Sequence, residues 1–113
     1  MPGIRLLRLA AGAMLALMAG SSLADSGNSK TSAEDDAAER GAQVFASHGC
    51  GYCHENGGRS AGKGPQLMGT SRDDTFIVFR ITNGKPGKMP AFGSALTGEQ
   101  ILDLIAYIRS LKE

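Results

Sequence analysis

Three stretches of this chain repeat apolar residues at helical spacing, and two long stretches between them do not. The clearest pattern is the last, LTGEQILDLIAYIRSLKE, where Ile101, Leu104, Ile105, Ile108 and Leu111 recur at steps of three and four. That spacing gathers one apolar stripe on a helix, and Thr97 with Gln100 forms the capping box that starts one. The segment AEDDAAERGAQVFASHG is rich in alanine and charge, which predicts a helix. Its acids are expected in the first turn, where the helix dipole favours them, and Gly49 is expected to end it. The apolar face is thin (Ala38, Gly41, Ala42, Phe45), and Gly41 four residues before Phe45 suits close approach by another helix. The middle segment, DDTFIVFRITNG, is ambiguous. Phe76, Ile77, Val78, Phe79 and Ile81 favour strand, yet Asp73 and Asp74 read as an N-cap and Asn83-Gly84 as a C-cap. No second strand is available to pair with it, and an isolated strand is unstable, so a helix is predicted.

Between these helices lie ENGGRSAGKGPQLMGTSR, with five glycines and a proline, and KPGKMPAFGSA. Both read as irregular loops, and there are no internal repeats. The fold class is therefore all-α, three main helices joined by glycine-rich loops. Loops of that length in a small domain are expected to wrap something.

The first residues change the domain count. Arg5 and Arg8 precede an apolar run of eleven residues, 9–19, and small residues follow at Ser22 and Ala24. This describes a cleavable secretory signal at 1–24, the run being too short for a membrane span of about twenty residues. An uncleaved anchor is the alternative. Residues 25–33 are polar and Gly/Ser-rich and read as a flexible tail, which leaves 34–113 as the folded domain. Removing 1–24 leaves 89 residues with ten Lys/Arg against eleven Asp/Glu, a net charge of −1. No basic excess suggests nucleic acid, and no stable membrane insertion is expected after cleavage. A domain this small is marginal on apolar burial alone and usually needs a disulfide, metal or cofactor. The two cysteines are only two residues apart, so a disulfide between them would close a trivial loop and add little.

Those cysteines sit in GCGYCHENGG, Cys50-Gly-Tyr-Cys53 followed directly by His54. Three chemistries use such a run: a redox-active dithiol, part of a zinc site, or covalent haem attachment. A dithiol of the thioredoxin type caps a helix after a hydrophobic strand, whereas this run follows a helical segment. Zinc needs a fourth ligand, and His48 is the only other histidine. C-x-x-C-H is the signature of c-type haem attachment: two thiols a turn apart reach two vinyl groups, and the next residue offers its imidazole to the iron. A sulfur opposite that imidazole would raise the reduction potential. Beyond residue 24 the methionines are Met68 and Met89. Pro86 and Pro90 stiffen the loop around Met89, whereas Met68, fourteen residues past His54, would have to double back. His48 is the other candidate for this position, although a solvent-facing residue at a helix end is its plainer reading. A ligating His54 also needs an acceptor for its Nδ1–H.

Taken in order, GAQVF, CGYCH, GPQLMG, KMPAF and LTGEQILDLIAYIRSL make the chain resemble the class I c-type cytochromes over roughly residues 39–111. The resemblance implies a cytochrome c fold, with the first and last helices crossed tightly and the loops wrapped around one covalently bound haem c. It implies thioethers at Cys50 and Cys53, axial iron ligands at His54 and Met89, the carbonyl of Pro65 as the acceptor for His54, and Leu67 against the haem. Arg59 is a candidate for a haem propionate. In protein atoms alone, Cys50, Cys53, His54 and Met89 are then expected to ring a hollow. The implied function is a periplasmic, monomeric electron carrier and not an enzyme, working between a dehydrogenase or cytochrome bc complex and a terminal oxidase. Lys85 and Lys88, flanking Met89, are candidates for steering it onto an acidic partner. The alternatives are an electron-transfer subunit in a fixed complex, or a haem-based ligand sensor or weak peroxidase if Met89 does not reach the iron.

Overall fold

The computed structural model describes residues 29–113 together with Gly3 and Gly12; the rest of the segment read as a signal peptide, and residues 25–28 of the tail, lie outside the described residues. Three helices follow one another: α1 (Ser29–Ser47), α2 (Asp74–Asn83) and α3 (Gly98–Ser110). Short 3-10 turns at Cys50–Tyr52 and Asn56–Gly58 lie between the first two. No strand occurs among the described residues, only an isolated bridge between Lys85 and Met89. The predicted all-α architecture is the observed one.

One boundary differs. α1 begins at Ser29, so residues 29–33, read from the sequence as flexible tail, are helical. Between Gly27 and Gly41 the chain holds neither glycine nor proline, and a helix once nucleated propagates through such a stretch. Glu34, Asp35 and Asp36 consequently fall in the second turn, and the first turn carries no acid.

The other ends match their signals. The Asp73 carboxylate accepts from the Phe76 amide at 2.8 Å, starting α2. Gly84, at φ 67°, ends it. The strand-like run FIVF is helical because Ile77 and Ile81, four apart, are the pair that reach the core, while Phe79 stays exposed. At α3 the Gln100 amide donates to Thr97 Oγ1 at 3.1 Å and the Thr97 amide to Gln100 Oε1 at 2.9 Å, a complete capping box.

α1 and α3 form the main packing interface. At Gly41 the two backbones approach so closely that a Cβ would overlap the Asp103 carbonyl oxygen and stand 2.8 Å from Tyr107 Cβ. On one side of this crossing Arg40 donates to both Asp103 carboxylate oxygens, each at 3.2 Å. On the other, the Phe45 and Tyr107 rings sit 5.2 Å apart. Val44 and Phe45 of α1 join Ile101, Leu104, Ile105 and Ile108 of α3 in one apolar cluster that also takes in Ile77, Ile81 and Leu96. Val44 belongs to that core although the thin face read from the sequence omits it. Among the described residues no helix is long and apolar enough to cross a membrane.

Gly41→Ala would gain about 1 kcal/mol from helix propensity alone. The overlap with Asp103 is expected to reverse that sign and cost about 1–3 kcal/mol, measured as a lower urea midpoint at unchanged m-value. A midpoint that stays or rises would remove the tight crossing from the frame of the fold.

Candidate functional site

The end of α1 launches the cysteine motif. Gly49 turns the chain through the left-handed region, φ 71°. The Cys53 and His54 amides then bond back to the Cys50 carbonyl at 3.3 and 3.0 Å, closing a single turn. This turn lies on the core, since a Cβ on Gly51 would touch the Phe45 ring at 3.7 Å. Cys50 and Cys53 are free thiols, both half-buried, and Tyr52 between them is 86% exposed. Burial, with a smaller contribution from nearby Cys53, pushes the Cys50 thiol above its ordinary range. Reactive dithiols need the opposite shift. Among the described residues no group of three or more His, Cys, Asp or Glu converges as a metal-binding cluster. The raised Cys50 thiol weighs against the dithiol chemistry.

His54 is 9% exposed, the one polar side chain buried with the core among the described residues. Its Nδ1 lies 2.7 Å from the Pro65 carbonyl oxygen. A carbonyl can only accept, so a proton is on Nδ1, and in the neutral ring it is Nε2 that carries the lone pair. The loop read as irregular is therefore built around this imidazole. Gly64 lies flat against the ring, where a Cβ would stand 2.7 Å from Cε1. The Gly64 amide donates to the Cys53 carbonyl at 2.9 Å, and the Leu67 and Met68 amides both donate to Gly58. α3 holds the loop from outside: Tyr107 Oη donates to the Gly57 carbonyl at 2.6 Å. The Arg59 guanidinium, a candidate for a propionate, donates to the Lys112 carbonyl at 2.9 Å and ties the loop to the C-terminal end.

Met89, Leu67, Cys50 and Phe92 are partly buried against the same apolar cluster. Met89 sits in a small closed loop: its amide and carbonyl each bond Lys85, both at 2.8 Å. Met68 is fixed by its backbone at Gly58 and is not among the side chains packed on that core. His48 is not solvent-facing; its Nδ1 donates to the Val44 carbonyl at 3.0 Å, and its ring meets Phe92 edge-on at 6.5 Å. Two surface hollows stand among the described residues, and neither is lined by Cys50, Cys53, His54 or Met89. The hollows are lined by Arg40, Glu99, Leu102 and Asp103, and by the Val78, Thr82, Leu96 and Ile101 groove. Gly64 and Phe92 were missed as site residues, although both stand inside the motif runs GKGPQL and MPAF.

The family described as cytochrome c oxidase, cbb3-type, subunit III matches residues 36–108. The chain belongs to this family of c-type cytochromes. This cytochrome is 38% identical over 86 residues to the cbb3-type cytochrome c oxidase subunit FixP of Azorhizobium caulinodans, covering 66% of the chain and 27% of that protein. It is 36% identical over 75 residues to cytochrome c6 of Parathermosynechococcus lividus, covering 60% of the chain and 83% of that protein. Cytochrome c6 of a Picosynechococcus species is 33% identical over 89 residues, 67% of this chain and 74% of its own. The chain thus spans about a quarter of the FixP protein. No solved structure gives a significant match.

The donor set fits the family's cofactor. Two free thiols stand a turn apart, a buried imidazole keeps its lone pair on Nε2, and a thioether lies at the edge of the same core. The cytochrome carries covalently bound haem c, and its chemistry is electron transfer rather than enzymatic catalysis.

Gly64→Ala is expected to force the His54 ring from its place under the loop. An overpacking cost of about 1–3 kcal/mol predicts a fall of about 5 °C or more in the Tm of the haem-loaded protein. An unchanged Tm would show that the ring tolerates displacement.

Proposed function

We propose that this cytochrome is a periplasmic carrier that accepts one electron at a time from a dehydrogenase or cytochrome bc complex and passes it to a terminal oxidase. In this reading Cys50 and Cys53 form the two thioethers, and His54 Nε2 and Met89 Sδ are the axial iron ligands. The observation that carries it is the His54–Pro65 hydrogen bond, which fixes the orientation of the ring and leaves Nε2 without a hydrogen-bond partner among the described residues. When bound, the haem iron supplies a one-electron Fe(II)/Fe(III) couple whose potential a thioether ligand raises.

The chain's own residues do the rest. Pro65 holds the proton on Nδ1, which fixes the tautomer and strengthens Nε2 as a donor. Leu67, Phe92, Cys50 and Met89 each pack against the one apolar cluster, which places both sulfur-bearing side chains beside apolar surface. With His54 and Met89 both holding the iron, no position would be left for a substrate, and the group would supply outer-sphere electron transfer. The ligand sensor or peroxidase reading requires Met89 to be loosely held, and the paired Lys85–Met89 backbone bonds favour the carrier. Export is supported by the signal segment read at 1–24. A second reading, an electron-transfer subunit of an oxidase complex, is favoured by the FixP relative and the family match. Sizing chromatography of native extracts separates the two: a carrier elutes at its own mass, a subunit together with oxidase activity.

Lys85 and Lys88 are exposed and make no ion pair among the described residues. They give the Met89 loop a positive edge that steers association with an acidic partner.

Optical spectra and mass test the site. The native protein is expected to show a haem spectrum and a mass above that of the bare chain, and a mass equal to the bare chain would sink the reading. Met89→Ala is expected to let the reduced protein bind carbon monoxide, which wild type resists. Its potential should fall by a substantial part of the roughly 0.8 V that axial ligands span. For steering, the rate of reaction with an acidic redox partner should drop as salt rises, with a shallower slope in Lys85→Gln/Lys88→Gln. A profile flat in ionic strength would rule steering out.

A further inference from the structure

The Met89 loop is also the cap of α2. A helix leaves its last carbonyls without intrahelical partners. In α2 three of these are taken in turn: Arg80 by the Gly84 amide at 2.8 Å, Ile81 by the Phe92 amide at 2.9 Å, and Thr82 by the Gly93 amide at 3.0 Å. Between the first of these bonds and the other two, the Lys85–Met89 pair closes the tip over Pro86, Gly87 and Lys88. Met89 is thereby tied on its upstream side to Lys85 and on its downstream side, through Phe92 and Gly93, to the last turn of α2.

Gly84 is where these ties converge. It is buried, with φ 67° and ψ −165°, a region open essentially to glycine alone. A Cβ there would stand 2.5 Å from the Met89 carbonyl oxygen, 2.6 Å from the Pro90 carbonyl carbon and 2.7 Å from the Ala91 nitrogen. Arg80 adds a side-chain bond to the Gly84 carbonyl at 3.1 Å. Gly87, by contrast, has nothing within 4 Å of where its Cβ would be. We infer that Gly84 is a positioning residue for Met89: by letting the 89–91 backbone lie directly on the end of α2, it holds the thioether in place and keeps exogenous ligands off the iron. The inference rests on Met89 being the iron ligand, as proposed above. It makes the end of α2 and the 85–93 loop one cooperative unit.

The test uses the haem-loaded protein and reads the long-wavelength absorption band of the ferric iron–thioether bond, together with binding of added imidazole. Wild type should show the band, and its absence there, with Met89→Ala indistinguishable from wild type, would overturn the ligand assignment itself. Gly84→Ala should lose the band or bind imidazole at least about tenfold more tightly, the equivalent of about 1.4 kcal/mol of lost restraint. Gly87→Asn, which keeps a residue tolerant of positive φ at the open tip, should retain both wild-type properties. A Gly84→Ala protein with the band intact and imidazole affinity within twofold of wild type overturns the inference. If that variant does not fold, hydrogen exchange in wild type decides. The amides of Gly84, Met89, Phe92 and Gly93 should exchange together as one unit. Exchange of Met89 and Phe92 well ahead of Gly84 would overturn it equally.

Discussion

The missing side chain at Gly41 is the constraint on which the structure is built. It lets the α1 backbone rest against Asp103 and Tyr107 of α3, closer than any other residue would allow. Two consequences follow from that one contact. Val44 and Phe45 enter the apolar cluster of α3, which fixes the direction in which α1 ends and hence where the Cys50–His54 turn starts. Tyr107, pinned at the crossing, is left with its hydroxyl within reach of Gly57, so the same helix that locks α1 also holds the loop that cradles His54. The Arg40–Asp103 pair beside the crossing is surface-exposed on the arginine side and adds little by comparison.

The site itself is made chiefly from backbone. Pro65 contributes a carbonyl, Gly64 a flat peptide against the imidazole, Gly58 a carbonyl shared by Leu67 and Met68, and Lys85 an amide and a carbonyl to Met89. This explains how a small domain can afford long loops without regular secondary structure. Their buried polar groups are satisfied among themselves, and no buried side-chain nitrogen or oxygen among the described residues lacks a partner. It also explains the glycines Gly41, Gly62, Gly64, Gly84 and Gly93, where main chain or a ring lies too close to admit a Cβ.

Much of this was legible from local signals. The stripe of α3, its capping box, the Asp73 and Gly84 ends of α2, the C-x-x-C-H turn and the closed Met89 loop all announce themselves within a few residues of sequence. The Pro65 bond to His54 was legible through the family motif. What stayed hidden depends on partners far away in the chain. Tyr107 and Gly57 are fifty residues apart, and Arg59 bonds a carbonyl at Lys112, an acceptor every residue possesses and none advertises. The start of α1 was misread because the composition of residues 29–33 resembles a linker, while the absence of a helix breaker decides the outcome. His48, read as solvent-facing, is half-buried because Phe92 arrives against it from the other loop.

The two halves of the site are not held equally. The His54 loop is bound to α3 by Tyr107 and Arg59, and α3 is locked to α1 over the largest interface in the domain. The Met89 loop is bound to α2, which meets α3 over a much smaller face. Arg109 of α3 donates to Asp74 of α2 at 2.8 Å and to the carbonyls of Thr70 and Arg72, in the loop before α2, at 3.2 and 2.7 Å. Its ion pair is solvent-exposed and weak by itself, so the backbone carbonyls give Arg109 most of its grip. The imidazole side is therefore the rigid reference of the domain and the thioether side its softer half. That asymmetry follows from where each loop finds its hydrogen-bond partners, and the softer loop is the one that also carries Lys85 and Lys88.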